Sequence, residues 1–524
     1  MRVISPHCEI KKEIYNKVIY QNWPRDVFRE MTDLDSIKKF YNDCYDTLKL
    51  ELEIELNKFH PTAWIREAYI QLELWTVIHY NDPIENVVGD KKFAPIGRYG
   101  WRFIIDICLE KLEDNAIYGQ DRPPIESVNV VFTILLAMGQ CSEYSNYLHF
   151  LKSRITSIRI VFSPDLLIKS PEFDSILNKL FDDITKSILS NTDWDKYARF
   201  APNNEILTSM VDSFLLKNFS ISIEEIQNIV IAISNKISNN IQASVIIQPL
   251  DDFIRLVSDV SNVTIDKIES LIEISFLNIK NENHTNRDFL RKNQQVRMLY
   301  NAGVIVDLES NFETIYDCRN AQKEFVTSSK KHVIISARMY AEWLDIFVIK
   351  IVLGQRSDLK TKMQLAQDII DIEAFYRIKV FEKEVSNMLL GYDFHCLNVS
   401  KFDGRDINCG EIDILAYKPE TNEMFVVECK AYAPIVDARG LAQVWKDHYQ
   451  QKRYHNKFMR KIEWVENNRN IVKEIFINVC DVSNDYKVDP FFITASNSAL
   501  EFIENQYNIM TFYEFDNFLK YGKQ

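Results

Sequence analysis

The sequence predicts a multidomain protein in which a mainly α-helical N-terminal region precedes a C-terminal α/β domain. Length, sparse punctuation and a change of hydrophobic period near residue 392 predict it. At 524 residues the chain is too long for one hydrophobic core. Apolar residues at 46% and charged residues at 26% describe a chain that buries cores rather than one that stays disordered. Only 12 glycines and 14 prolines interrupt it, which favours long helices with short connections.

Up to about residue 370, apolar residues recur three and four apart, as in 65–80, 99–114 and 175–189, the spacing of packed helix faces. Polar and turn-forming clusters at 81–98, 195–204 and 280–288 are candidate loops. With the later change of period, they suggest helical regions at 1–205 and 206–370 and an α/β domain at 371–524. Ser222-Ile-Glu-Glu225 has the form of a capping box, and Thr264-Ile-Asp-Lys267 opens a similar segment. Two ordinary capped helices account for the likeness without a repeat.

Several function classes are excluded early. Gly97-Arg98-Tyr99-Gly100 lacks the spacing and the Lys-Ser/Thr of a phosphate-binding loop. His7, His60, His79, His149, His284 and His332 are isolated and form no metal motif. Nine scattered cysteines without a C-x-x-C pair suit a reducing compartment and no structural zinc. The N-terminus lacks the apolar core of a signal peptide, and the most apolar stretch, 130–139, is about half a bilayer span. A cytoplasmic protein without membrane association is expected. The net charge of −13 argues against a surface that binds nucleic acid everywhere, so any such contact is local.

Near residue 392 the period changes. A helix over about 371–390 gives way to alternating β-branched and aromatic runs at 392–402, 411–417 and 423–432. The turn residues KPETN at 418–422 make the second and third runs a hairpin. A long helix from about Asp437 to Asn467, a strand at 488–495, a helix at 497–506, a strand at 508–515 and a terminal helix follow. The core order is αβββαβ.

The hairpin carries the chemistry. Asp413 lies on its first strand, with Glu428 and Lys430 on its second. Alternation places Glu428 and Lys430 on one face and Val427 and Cys429 on the other. Pairing across the turn can bring Asp413 opposite them, so two carboxylates and an amine converge. Such oxygen ligands suit a hard divalent cation such as Mg²⁺, which takes one or two carboxylates and keeps several waters. Lys430 would then lie beside a metal-bound water and orient it or help to deprotonate it. Buried acids and a lysine on a central strand are costly unless paired.

Gly410-Glu411-Ile412-Asp413-Ile414-Leu415-Ala416, followed by Glu428-Cys429-Lys430, resembles the PD-(D/E)XK nuclease superfamily, in its Holliday-junction-resolvase-like and RecB-like branches. The resemblance covers roughly residues 371–515 and implies a restriction-endonuclease-like domain. It implies that Asp413 and Glu428 bind Mg²⁺ or Mn²⁺, that Lys430 serves the attacking water, and that Glu382 of the preceding helix assists. Glu384 lies two residues on; the apolar face of Ile378, Phe381, Val385 and Leu389 favours Glu382. Cys429 fills a slot often taken by a small or β-branched residue, and its carbonyl can ligate the metal. Glu411 shares a face with Asp413, either tuning the site or joining the ligands.

After the motif, Gln443, Lys446, Gln450, Arg453, Lys457 and Arg460 recur on one helix face, opposite Leu441, Val444, Trp445, Phe458, Ile462 and Val465. A polar, basic stripe nearly free of acids suits phosphate contacts. Gln450 and Tyr454 also match the Q-x-x-x-Y motif of RecB-like nucleases. The expectation is a metal-dependent nuclease acting on DNA, with RNA or a catalytically inactive binding protein as alternatives. The N-terminal helical region is expected to recognise, regulate or assemble, through a homo-oligomer or a partner protein, in the manner of an anti-phage or restriction effector.

Overall fold

The computed structural model describes residues 8–25, 30–80, 93–111, 123–151, 160–161, 205–237, 244–278, 303–308, 330–352, 363–432, 438–495, 500 and 506–522. The chain divides into two compact units, residues 1–175 with 212–348, and 176–211 with 349–524. The expected helix at 175–189 and the expected loops at 195–204 and 280–288 lie outside the described residues.

The first unit is built on long helices. Pro61–Tyr80 packs on Ala94–Lys111, and Leu34–Leu56 packs on Ile125–Leu151. Trp64, Trp75 and Trp101 are fully buried among them, and Trp75 stacks on Phe132 with ring centroids 4.9 Å apart. Ser222 and Glu225 form the expected capping box at the start of Ile223–Ser234. Helix Ile125–Leu151 contains an 18-residue stretch apolar enough to cross a membrane, yet 72% of that stretch is buried inside the fold. The helices Glu205–Phe219 and Ile223–Ser234 reach the same apolarity only as a pair, bent by 79°.

A four-stranded sheet in this unit was not expected. Its order is Val245–Pro249, Lys330–Ser336, Gly303–Leu308, Phe276–Asn278. These strands are short and far apart in sequence, and short apolar runs carry no period that separates strand from buried helix. At one end of the sheet the fully buried Glu73 accepts hydrogen bonds from Ser336 Oγ, Arg338 Nη1 and, at 3.2 Å, the Arg338 amide. The pairing ties helix Pro61–Tyr80 to the strand end.

The Gly-Arg-Tyr-Gly segment lies within helix Ala94–Lys111, which begins inside the stretch expected to be a loop. A Cβ on Gly97 would come within 2.6 Å of the Trp75 ring, so the glycine is there to let two helices approach. Gly97→Ala, although alanine favours helix, is expected to destabilise the protein by about 1–3 kcal/mol in urea unfolding. Unchanged or increased stability would show that the Trp75 contact does not demand glycine.

In the second unit, helix Met363–Phe375 runs through a π-helical turn, Tyr376–Phe381, into α1 (Glu382–Gly391). Besides a short pair, Lys401–Phe402 with Arg405–Asp406, five strands make up the main sheet: β1 (His395–Val399), β2 (Ile412–Lys418), β3 (Glu423–Lys430), β4 (Lys487–Thr494) and β5 (Asn508–Thr511). They form one mixed sheet in the order β5-β4-β3-β2-β1. β1, β2 and β3 are antiparallel neighbours, while β4 and β5 run parallel to β3. The β2–β3 turn closes through Asn422 at φ 55°.

β3 is central, and Met424 to Cys429 are all buried. On one face Phe425, Val427, Cys429, Phe491 and Ile493 pack with Phe381, Val385 and Leu389. On the other, Phe492 meets Phe458, their rings 5.9 Å apart. Helices therefore cover both faces of this buried strand.

Three expectations are corrected. The single helix over 437–467 is two, α2 (Ala438–Tyr449) and α3 (Tyr454–Asn467), with Arg453 between them at φ 52°, ψ 44°. The amides of Gln450 and Gln451 both turn back to the Lys446 carbonyl, closing α2. Gln-Gln-Lys-Arg offers nothing apolar to bury, so no packing carries the helix across it. The strand expected over 508–515 stops at Thr511, whose capping box with Glu514 starts α5 (Phe512–Tyr521), and α4 (Arg469–Phe476) follows α3. The first strand begins at 395 rather than 392, after Asp393 at φ 67°. Most of the helix expected at 497–506 lies outside the described residues.

Candidate functional site

Asp413 sits in a β-bulge. Ile412 pairs with Val399, yet Leu415 pairs with Leu397, so β2 carries one residue more than β1 across this stretch. A bulge re-aims side chains beside functional sites. Here the Asp413 carboxylate accepts the Cys429 amide of β3 at Oδ2, 2.9 Å away. On β3, Glu428 and Lys430 share a face, and Lys430 Nζ donates to Glu428 Oε1 at 2.5 Å. It also lies 3.2 Å from the Cys429 carbonyl and 3.8 Å from Asp413 Oδ2. The expected constellation of Asp413, Glu428 and Lys430 is assembled. The Cys429 side chain is turned into the core, so it meets the charges through its backbone, the amide at Asp413 and the carbonyl at Lys430.

A fourth charged residue completes the group. Lys461 of α3 reaches Glu428 Oε2, and its Nζ lies 3.5 Å from Asp413 Oδ1. It is only 7% exposed. Sequence reasoning missed it, attending to the polar stripe of that helix. The signal was a lysine on the opposite stripe, three residues after Phe458 and four before Val465, both fully buried.

The electrostatics follow from burial. Burial and the neighbouring Glu428 push the Asp413 pKa up. Burial also disfavours the charge on Glu428, but Lys430 and Lys461 outweigh it and hold its pKa below the usual range. Burial likewise works against the Lys430 ammonium, and Glu428 with Asp413 overcomes it, raising the lysine. Lys430 is thus a protonated donor in this state. Glu382, at the junction of π turn and α1, is raised to about 7, first by burial and then by the charge of Asp413. Glu384 is exposed, so the choice of Glu382 stands on burial and on this electrostatic contact. Glu411 is exposed as well and accepts a hydrogen bond from Asn398 at 3.0 Å.

The break between α2 and α3 divides the basic stripe. Arg453, Tyr454, Lys457 and Arg460, with Gln451, Lys452 and Asn456, line a concavity of about 640 Å³. Gln443, Lys446 and Gln450 do not line it, and Gln443 is engaged with Asp447 at 2.8 Å. The Tyr454 ring links the concavity to the charged group. Lys430 Nζ is 5.0 Å from its centroid, and Lys452 and Lys457 are each 5.8 Å away. Behind the site the Tyr507 hydroxyl joins His448 Nε2 at 2.7 Å and His455 Nδ1 at 2.9 Å. Burial lowers His448 to about 3, so it stays neutral and serves packing.

The donor set fits a divalent cation of the Mg²⁺ type. Asp413 and Glu428 reach a single ammonium together, so both can address one ion. Among the described residues no group of three or more His, Cys, Asp or Glu side chains is placed to hold a metal, leaving the rest of such a shell to carbonyl, water and substrate oxygens. The chain matches no family model, no curated protein and no solved structure.

Glu382 gives a test in the metal-free protein. Its folded pKa exceeds the ordinary carboxylate value of 4.5, so the native state binds the extra proton between pH 4.5 and about 7. Stability must then fall as pH rises through that window. Relative to wild type, Glu382→Gln is expected to gain melting temperature between pH 5 and pH 8 in chelator. A difference that does not change with pH would remove Glu382 from the charged group.

Proposed function

We propose that this chain is a divalent-metal-dependent nuclease that hydrolyses DNA phosphodiester bonds, and that its C-terminal unit is a restriction-endonuclease-like domain. The observation that carries it is the convergence of Asp413, Glu428 and Lys430 at one end of the central hairpin. The element order, a helix, three antiparallel strands, helices and a parallel strand, supports the same reading. So does the placing of the basic concavity beside Lys430 through Tyr454.

In this reading Asp413 and Glu428 hold Mg²⁺ or Mn²⁺, with the Cys429 carbonyl beside them. A cation held there supplies a Lewis acid for the phosphoryl oxygen and lowers the pKa of a bound water. Lys430, protonated and aimed by the carboxylates, orients the attacking water and offsets charge on the phosphate. Glu382, raised to about 7 by burial and by the charge of Asp413, can accept or return a proton. Arg453, Lys457 and Arg460 grip backbone phosphates, a local cationic surface on an acidic chain.

One observation favours a second reading. Two lysines already neutralise the two carboxylates, an arrangement that also suits a non-catalytic nucleic-acid-binding protein. Cleavage assays on plasmid, linear duplex, single-stranded DNA and RNA, with and without Mn²⁺, separate the two. Metal-dependent cleavage of DNA is expected; cutting confined to RNA would reassign the substrate, and no cutting at all would favour the binding protein.

Two substitutions sharpen the proposal. Lys430→Met is expected to lower cleavage at least a hundredfold while Mn²⁺ still binds, because the amine acts on the water and is no ligand. Cleavage within threefold of wild type would sink that role. Arg453→Gly removes the guanidinium while satisfying the positive φ of the α2–α3 break. Combined with Lys457→Glu, it is expected to weaken DNA binding for every sequence alike and to flatten the salt dependence by about two phosphate contacts. Unchanged affinity would make the concavity an ordinary solvated surface.

A further inference from the structure

Each carboxylate of the site is shared between the two lysines. Lys430 takes Glu428 Oε1 and approaches Asp413 Oδ2, whereas Lys461 takes Glu428 Oε2 and approaches Asp413 Oδ1. The Lys430 contacts come from the strand that carries Glu428. Those of Lys461 come from a separate element, α3, and bridge the two acids from across the sheet face. Phe458, Ile462 and Val465 hold this face of the helix in the core, leaving the Lys461 ammonium little water of its own. Its partners are the two acids.

A dication added to this group would leave two negative charges facing four positive ones. Excess like charge in a buried place is strongly disfavoured, and the departure of a cation relieves it. Besides the acids, Lys430 donates to the Cys429 carbonyl at 3.2 Å and lies over the Tyr454 ring, so it keeps partners when the acids take a cation. The ion partners of Lys461 are the two acids, and its stem can swing while the helix stays in place. Resting on the nuclease reading above, we propose that Lys461 is a built-in competitor for the metal: its ammonium bridges Asp413 and Glu428 at rest and leaves them when a divalent cation binds. Lys461 thereby keeps the acids paired when no metal is bound and weakens metal affinity, so that the site loads only when the free cation is abundant or substrate oxygens complete the shell.

The test is a calorimetric titration of Mn²⁺ into the full chain, comparing wild type with Lys461→Met, which keeps the stem and removes the charge, and with Lys461→Arg, which keeps a charge. Lys461→Met is expected to bind Mn²⁺ at least tenfold more tightly than wild type, and Lys461→Arg no more tightly. Binding by Lys461→Met that equals or falls below a measurable wild-type affinity would overturn the competitor role alone. If neither wild type nor Lys461→Met binds Mn²⁺, the metal reading of the site fails and this inference with it. A second measurement needs no variant: acetylation of Lys461 in the wild-type chain, read by mass spectrometry with and without Mn²⁺. Lys461 is expected to be protected without metal and to react several-fold faster with it, whereas equal reactivity while Mn²⁺ binds would overturn the proposal.

Discussion

Two carboxylates cannot leave water at the end of a central strand unless cations accompany them. The C-terminal unit is arranged around that constraint. The turn at 418–422 fixes the register that brings Asp413 to the end of β3, and the bulge in β2 aims its carboxylate at the Cys429 amide. Alternation along β3 then sets Glu428 and Lys430 on the face that α3 covers, while Val427 and Cys429 enter the opposite core. Lys461 closes the group from α3. Each lysine contacts both acids, so the two ammonium groups together balance the two carboxylates within the buried group.

The same arrangement makes the acidic net charge of the chain compatible with the polyanionic substrate proposed for it. Binding a backbone requires a local cationic surface rather than a basic protein. The break at Arg453 builds that surface by starting a new helix just where Lys452, Arg453, Lys457 and Arg460 can gather around Tyr454. A continuous helix would have spread these residues along one stripe with Gln443 and Lys446.

How much of this was legible in the sequence follows from how local each feature is. The hairpin, the shared face of Glu428 and Lys430 and the αβββαβ order depend on period and turn chemistry, which neighbouring residues encode, and they are found as expected. Glu382 was legible only as one of two nearby glutamates; burial separates them. The bulge was not legible, because it is a relation between β2 and β1 rather than a property of either. Lys461 left one trace, a charge on an apolar stripe, whose meaning depends on a strand thirty residues away. In the first unit, the four-stranded sheet escaped because its strands are short apolar runs distant in sequence. The Gly97 segment shows the converse, since a motif that failed as a phosphate loop has a packing reason in Trp75.

The central claim is that Asp413 and Glu428 together hold one divalent cation. Crystals of the full chain grown with Mn²⁺ test it most directly, by locating the ion from its anomalous scattering. The account predicts one ion between the two carboxylates, about 2.0–2.3 Å from an oxygen of each. An ion bound elsewhere in the unit, or an undisturbed pairing of both acids with their lysines at saturating Mn²⁺, would contradict it.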